Sequence, residues 1–459
     1  MAERYDAIVI GTGQAGPSLA VRLAAAGRKT AIIERKRIGG TCVNNGCIPT
    51  KTLIASARAA QVARRGGDFG VTIAGAIGVD MARVKVRKDT VVRHSTDGLT
   101  SWLGSTPGLT LISGHARFES ARTLRVGDRL LEADQFFINV GGRAAVPDLQ
   151  GLADVPYFDN SSIMQVDFLP EHLVIVGGSY IGLEFAQMYR RFGSRVTVIE
   201  MGPRVIGRED DEVSAAIKQI LEDEGVAFRL NATCVAVARR DQGVTVQVSC
   251  DEAPHEIAGS HLLLATGRVP NTGDLGLDRA GVKTDPRGYI VVDDELRTSV
   301  ANIWALGDAN GRGAFTHTSY NDYEIVAANL LDGGSRRVSD RIQAYALFID
   351  PPLGRAGMTE REVRASGRKA LVATLPMTRV GRAFERSETQ GFMKVLVDAQ
   401  TEQILGTALL GIDGDEVVHS LLDLMYARAP YTLLRRAMHI HPTVTELIPT
   451  LLSRLQPLA

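Results

Sequence analysis

Cys42 and Cys47 lie five residues apart in Gly39-Gly40-Thr41-Cys42-Val43-Asn44-Asn45-Gly46-Cys47-Ile48-Pro49-Thr50-Lys51. Two thiols that near can hold and release an electron pair as a disulfide. The Cys-x4-Cys spacing is not that of a zinc knuckle, and no second Cys or His pair nearby completes four ligands, so no metal site is expected. In a regular α-helix, Cα atoms five apart are roughly 8–9 Å apart, beyond the reach of a disulfide at about 7 Å. The helix is therefore expected to be distorted here. Pro49 supplies a reason, because it lacks an N–H and its ring crowds the Asn45 carbonyl, and Gly46 adds freedom. A strained disulfide near a helix start is the redox-active kind. Lys51 follows Cys47 by four residues, so the two can share one helix face and the cation can steady a nearby negative charge. Cys234 and Cys250 fall in apolar or alternating strand-like segments and read as ordinary packed residues.

Two further segments repeat one pattern. The first is Tyr5-Asp6-Ala7-Ile8-Val9-Ile10-Gly11-Thr12-Gly13-Gln14-Ala15-Gly16, and the second is Leu173-Val174-Ile175-Val176-Gly177-Gly178-Ser179-Tyr180-Ile181-Gly182. Each is an apolar run, then glycines, then a helix-like stretch, then a second apolar run ending in an acid, Glu34 or Glu200. A lone Gly-x-Gly-x-x-Gly is weak, but strand, turn, helix, strand and acid together describe a dinucleotide-binding βαβ unit. The first glycine permits the tight turn, the second lets backbone approach a pyrophosphate, and the third allows close helix packing. The helix amino end then faces the phosphates and the acid takes a ribose diol. Ser179 departs from the pattern where a middle glycine is usual, and being small it is expected to be tolerated. Two such units imply two dinucleotides, with electrons passing from a nicotinamide to a flavin.

Elements between these motifs read as connections. Residues 262–268 form a buried strand ending in a turn at Gly267, and residues 302–308 put the Asp308 carboxylate at a strand end, where acids accept hydrogen bonds from ligand hydroxyls. Residues 331–341 read as a linker, 392–397 as a strand and 416–428 as a helix. A length of 459 residues suggests two to four domains. With 52 basic and 52 acidic residues and 5% aromatics, nothing favours a nucleic-acid partner. No run reaches the roughly 20 apolar residues of a membrane span. The charged amino-terminal residues run straight into a strand rather than a leader, so a cytoplasmic protein is expected.

With these motifs the chain resembles the flavoprotein disulfide reductase family (dihydrolipoamide dehydrogenase, glutathione reductase, mercuric reductase) along essentially its full length. The resemblance implies an α/β fold of two Rossmann-like dinucleotide-binding domains plus a C-terminal α+β dimerisation domain. An FAD domain would be split between residues 1–145 and 274–335, an NAD(P)H domain would occupy 146–273, and a dimerisation domain 341–459. By resemblance, Gly11, Gly13, Gly16, Glu34, Thr41, Lys51, Ala116 and Asp308 would contact FAD, and Gly267 would be a further cofactor-binding residue. Gly177, Gly178, Ser179, Tyr180, Ile181, Gly182 and Glu200 would hold the nicotinamide dinucleotide, with Tyr180 gating its pocket. Glu184 resembles the acid that pairs with the lysine matched by Lys51. In His439-Ile440-His441-Pro442-Thr443-Val444-Thr445-Glu446, His441 resembles the family's acid/base, oriented by Glu446 and acting across a homodimer interface. Cys47 would then be the sulfur nearest the flavin and Cys42 the thiol that attacks a small disulfide substrate.

Glu200 should accept from a ribose 2′-OH and repel a 2′-phosphate, which favours NADH over NADPH. Met201 follows it without the arginine of an NADPH reader, although Arg204 and Arg208 are near in sequence. The stretches 208–210 and 315–323 look like the mercuric-reductase-like branch, yet no cysteine follows Cys250 to relay a soft metal ion. Reduction of a small disulfide or thiol-bound substrate is therefore the first expectation and reduction of a metal ion the alternative. A redox sensor with little turnover, or a diaphorase, is the reading from another class. His317, and Arg143 in Asn139-Val140-Gly141-Gly142-Arg143, where the family has Ala-Thr-Gly, are left without a role.

Overall fold

The computed structural model describes residues 2–240, 243–250 and 253–458, excepting the side chains of Cys234, Cys250 and residues 253–255. The chain is mixed α/β and divides into two compact units. The first comprises residues 1–52, 85–145 and 267–341, and the second comprises residues 53–84, 146–266 and 342–459. No described helix is long and apolar enough to cross a membrane.

The first unit is built on a seven-stranded sheet. Leu109–Ser113, Thr30–Glu34, Glu3–Ile10 and Arg129–Ile138 run parallel in that order, and Ile303–Ala305 adds parallel to Arg129–Ile138. Thr123–Val126 and Ala116–Ser120 complete the sheet antiparallel. The apolar run in Glu3–Ile10 is continuous at its end because both faces are covered, as parallel sheets require: Ile8, Val9, Ile32, Phe136 and Phe137 are all fully buried. The helix Gly16–Ala25 carries Pro17 in its first turn, where a missing N–H costs nothing, and buries Leu19, Ala20 and Leu23.

The second unit holds a four-stranded parallel sheet, in the order Val226–Arg229, Arg195–Ile199, His172–Val176, His261–Leu264. Beside it are a three-stranded antiparallel meander, over Thr233–Arg240, Gly243–Cys250 and Ala253–Gly259, and a six-stranded antiparallel sheet. That last sheet contains the expected strand, Phe392–Asp398, and is followed by the expected helix, Gly414–Tyr426. The parallel sheet and the six-stranded sheet share one apolar core: Leu183, Phe185 and Val198 cluster with Leu347, Leu353 and Leu410. Cys234 lies in one strand of the meander and Cys250 ends another, but the expectation that they are packed falls outside the described side chains.

Candidate active site

The two glycine turns sit at the carboxyl ends of the first strands of the two parallel sheets, where such sheets bind ligands. Their geometries repeat. Gly11 has φ +102° and Gly177 has φ +115°, both in the left-handed region that side chains avoid. A Cβ on Gly11 would lie 2.3 Å from the Asn139 carbonyl oxygen, and one on Gly177 would lie 2.4 Å from that of Ala265. The third glycines are packed as tightly: a Cβ on Gly16 would sit 2.2 Å from the Gly11 oxygen, and on Gly182 1.9 Å from the Gly177 oxygen. Each acid is held at its own turn. Glu34 accepts from Thr12 N–H at 3.1 Å and Thr12 Oγ1 at 2.6 Å, and Glu200 accepts from Gly178 N–H at 2.7 Å. Ser179 is exposed with an ordinary φ of −104°, which explains why a side chain is admitted there. Bare backbone, a helix amino end and a fixed acid fit a dinucleotide in each turn. In the first unit the Asn139 Nδ2, buried below the glycines, makes no hydrogen bond among the described residues.

The cysteines are hung directly on the first turn. Gly39 N–H donates to Thr12 Oγ1 at 3.1 Å, so one threonine hydroxyl joins the Glu34 carboxylate to the cysteine segment. Gly40, at φ +59°, crosses Gly13 so closely that a Cβ would be 2.8 Å from the Gly13 Cα. From Gly40 the chain makes a short helix, Gly40–Asn45, breaks at Gly46 (φ −128°, ψ −120°), and restarts as Cys47–Arg64. The distortion expected from the Cys-x4-Cys spacing is present, but it lies at Gly46. Pro49 instead occupies the third position of the new helix, where its missing N–H is harmless. At the break, Gly46 passes so near the previous turn that a Cβ would stand 2.8 Å from the Thr41 oxygen. The Gly46→Ala variant is expected to lose about 1–3 kcal/mol to overpacking. Urea unfolding would read that loss, and a free-thiol assay would show slower oxidation of the reduced pair.

The break brings the two sulfurs together, with Cys42 half-buried and Cys47 exposed. The hydrogen bond between them, followed by burial, pushes the Cys42 thiol well above its ordinary range. Thr316, which the sequence did not single out, places its Oγ1 3.0 Å from the Cys47 Sγ. Lys51 lies one turn beyond Cys47 on the same helix.

Asp308 sits in the short turn Gly307–Asn310, its carboxyl pushed up by burial while Arg268 lies 3.5 Å away. Asp322 fixes that turn: its carboxylate accepts from Gly307 N–H at 2.8 Å and Asn310 Nδ2 at 2.9 Å and pairs with Arg341. Gly267 has φ +119°, and its carbonyl accepts from Ala145 N–H. Ala116 is buried at the head of its strand. Arg143 donates to the Pro270 carbonyl at 2.9 Å, and His317 stacks on Phe315.

In the second unit, Tyr180 opens the helix Tyr180–Phe192 and meets the ring of Tyr345 edge-on at 5.4 Å, with Ile181 next to it. Burial pushes the Tyr180 hydroxyl up to about 12. Glu184 is buried on the same helix and accepts from Phe348 N–H at 3.1 Å. His441 Nδ1 is 2.9 Å from Glu446 Oε2, and the histidine side chain is 82% exposed. A carboxylate can only accept a hydrogen bond, so Nδ1 carries its proton toward Glu446 and Nε2 is left for other partners. Arg204 is tied to Asp211, and Met201 is exposed.

The family model for pyridine nucleotide-disulphide oxidoreductases matches residues 5–322, and that for their dimerisation domain matches residues 343–452. The chain is 38% identical to the probable pyridine nucleotide-disulfide oxidoreductase RclA of Escherichia coli, covering 98% of this chain and 99% of the other. It is 33% identical to a mercuric reductase of Streptomyces lividans (96% and 94% covered) and 31% identical to a dihydrolipoyl dehydrogenase of Cupriavidus necator (98% and 97%). A solved Cu(II) complex of RclA, described as an HOCl-induced flavoprotein disulfide reductase, superposes with a TM-score of 0.89 over 99% of each chain.

Proposed function

The chain belongs to the pyridine nucleotide-disulphide oxidoreductase family and is an NAD(P)H-dependent flavoprotein disulfide oxidoreductase; from that premise we propose that it uses NADH and FAD to reduce a small disulfide through Cys42 and Cys47. The observation that carries the reading is the break at Gly46, which sets two thiols in hydrogen-bonding contact on a segment tied to the first glycine turn. Residues 1–145 and 274–335 are assigned to FAD, 146–273 to the nicotinamide dinucleotide and 341–459 to a homodimer interface. Exposed Met438 and Ile440 beside His441 suit burial in such an interface. A reducing, cytoplasmic setting suits a cysteine pair that cycles between dithiol and disulfide.

FAD, when bound, would accept a hydride from the nicotinamide and deliver an electron pair to the sulfur pair. Reduction leaves Cys42 and Cys47 as a dithiol. Cys42 attacks one sulfur of the substrate, the substrate disulfide breaks, and the first thiol leaves with a proton from His441. Cys47 then attacks the Cys42 sulfur, re-forming the internal disulfide and releasing the second thiol. NADH, one proton and one disulfide thus yield NAD⁺ and two thiols. Glu446 holds the His441 ring in the tautomer that this proton transfer needs. Lys51 is assigned as a cation near the flavin, Glu184 as a catalytic acid, and Tyr180 as the gate of the nicotinamide pocket.

Glu200 sets the cofactor. Its carboxylate, held by the N–H groups of Gly178 and Gly202, would face a ribose diol and repel a 2′-phosphate, and the ion pair to Asp211 occupies Arg204. NADH should exceed NADPH in kcat/KM by about tenfold or more. Anaerobic titration with each nucleotide, followed by absorbance, tests both points. A long-wavelength band after two electrons marks a thiolate against the oxidised ring; bleaching of the flavin without that band would remove the sulfur pair from the electron path. The mercuric reductase relatives and the Cu(II) complex of RclA favour a second reading, reduction of a thiophilic metal ion. Steady NADH consumption with Hg(II) or Cu(II) and none with any disulfide would select it.

A further inference from the structure

Thr316 is the first residue of the helix Thr316–Leu331. A threonine near a helix start usually serves the backbone, but here that task is taken. Thr318 Oγ1 donates to the Phe315 carbonyl at 2.7 Å and accepts from Phe315 N–H at 3.2 Å, closing the turn. The Thr316 hydroxyl points elsewhere, to the Cys47 sulfur at 3.0 Å, and it is also within hydrogen-bonding reach of Cys42. A hydroxyl has one proton to donate. The close contact is with Cys47, so that sulfur is the one the proton can serve when the reduced pair carries a charge. The amino end of a sixteen-residue helix adds a partial positive charge beside the same atom.

We propose that the Thr316 hydroxyl is a catalytic hydrogen-bond donor that keeps the negative charge of the reduced pair on Cys47. This deepens, and rests on, the reading of Cys42 and Cys47 as the electron relay. Cys47 is then the thiolate and Cys42 the protonated partner, poised to be activated only when a base takes its proton. The other titratable side chains within one turn of Cys47 and Thr316 on these elements, with that of the preceding short helix, are Cys42, Lys51, His317 and Tyr320, and the substitution below alters none of them.

The test uses the full-length flavoprotein with Thr316→Val, which keeps the branched shape and removes the donor. Thr316→Ala removes it without the branch, and Thr316→Ser restores it. Each protein is reduced with dithiothreitol and alkylated with iodoacetamide across a pH series, and peptide masses report Cys42 and Cys47 separately. Loss of one hydrogen bond to a charged sulfur should raise the Cys47 midpoint by about one pH unit, a tenfold change in thiolate fraction on its acid side. Thr316→Ala should match Thr316→Val, and Thr316→Ser should return to the parent value. Unchanged midpoints in Thr316→Val and Thr316→Ala, or an equal shift in Thr316→Ser, would overturn the proposal. The charge-transfer band under NADH separates the two readings. A parent protein without that band removes the relay, whereas a normal band with unshifted midpoints removes only the role of Thr316.

Discussion

Cys42→Ser is expected to lower disulfide turnover by about a thousandfold or more, because a serine hydroxyl is not ionised near neutrality and cannot form the mixed disulfide. Cys42 stands on the short helix Gly40–Asn45, and only its sulfur is changed, so the tie from Gly39 through Thr12 to Glu34 remains. NADH should still reduce a quinone or ferricyanide in this variant, since neither acceptor needs a sulfur. The complementary Cys47→Ser variant should stop one step later. Its Cys42 attacks the substrate, but no second thiol resolves the product, so one substrate half remains bound per chain. Intact mass would show that adduct. Comparable disulfide turnover in Cys42→Ser and the parent protein would rule out Cys42 as the attacking thiol.

The largest expected loss of stability comes from a place that does no chemistry. In the second unit Arg355 is 1% exposed, beside Glu209 at 0%, Asp210 at 5% and Lys394 at 2%. The guanidinium lies 3.7 Å from Glu209 and 3.5 Å from Asp210, and none of its nitrogens makes a hydrogen bond among the described residues. Arg355 thus acts as a bare counter-charge. Asp210 also takes Lys394 at 3.4 Å and the Glu360 N–H at 3.1 Å, but among the described residues the Glu209 carboxylate meets only Arg355 and the Tyr345 hydroxyl. Arg355→Ala should therefore cost about 3–5 kcal/mol, the penalty of a buried charge left alone. Urea unfolding measures it.

The pH dependence of that loss has a definite sign. Burial holds the Glu209 carboxyl above its ordinary value even with Arg355 present. A raised carboxyl binds its proton more tightly when folded, so its penalty is absent at acid pH and grows as pH rises through the folded value. The deficit of Arg355→Ala should shrink on acidification. Asp210 runs the other way: its lowered carboxyl contributes stability above the unfolded value and loses it as pH falls. Glu209→Gln in the Arg355→Ala background removes the charge and should recover much of the loss at neutral pH. A deficit unchanged from pH 5 to 8 would contradict this account.

Features confined to a short stretch of chain were legible in the sequence. Each glycine turn, its preceding strand, its helix and its acid fall within one βαβ unit, and their residue types are dictated locally: no side chain fits at Gly11 or Gly177, and an acid must end the next strand. The need for a break between Cys42 and Cys47 followed from helix geometry alone. Where the break falls did not, because Gly46 is required by contact with the Thr41 carbonyl, whereas Pro49 only looks like a helix breaker until it is found in a first turn. His441 and Glu446 were readable together because they are five residues apart on one turn of chain.

Tertiary structure decided the rest. Thr316 meets Cys47 across 269 residues, and nothing in the composition of residues 315–323 points to a sulfur. Asn139 lies beneath Gly11 and Gly307, and Arg355 finds Glu209, only because strands distant in sequence are brought into one unit. Local sequence determines the turns and periodicities that backbone sterics and amphipathicity enforce. Which polar side chains then face each other depends on how the sheets close, and that is set by burial summed over the whole core rather than by any motif.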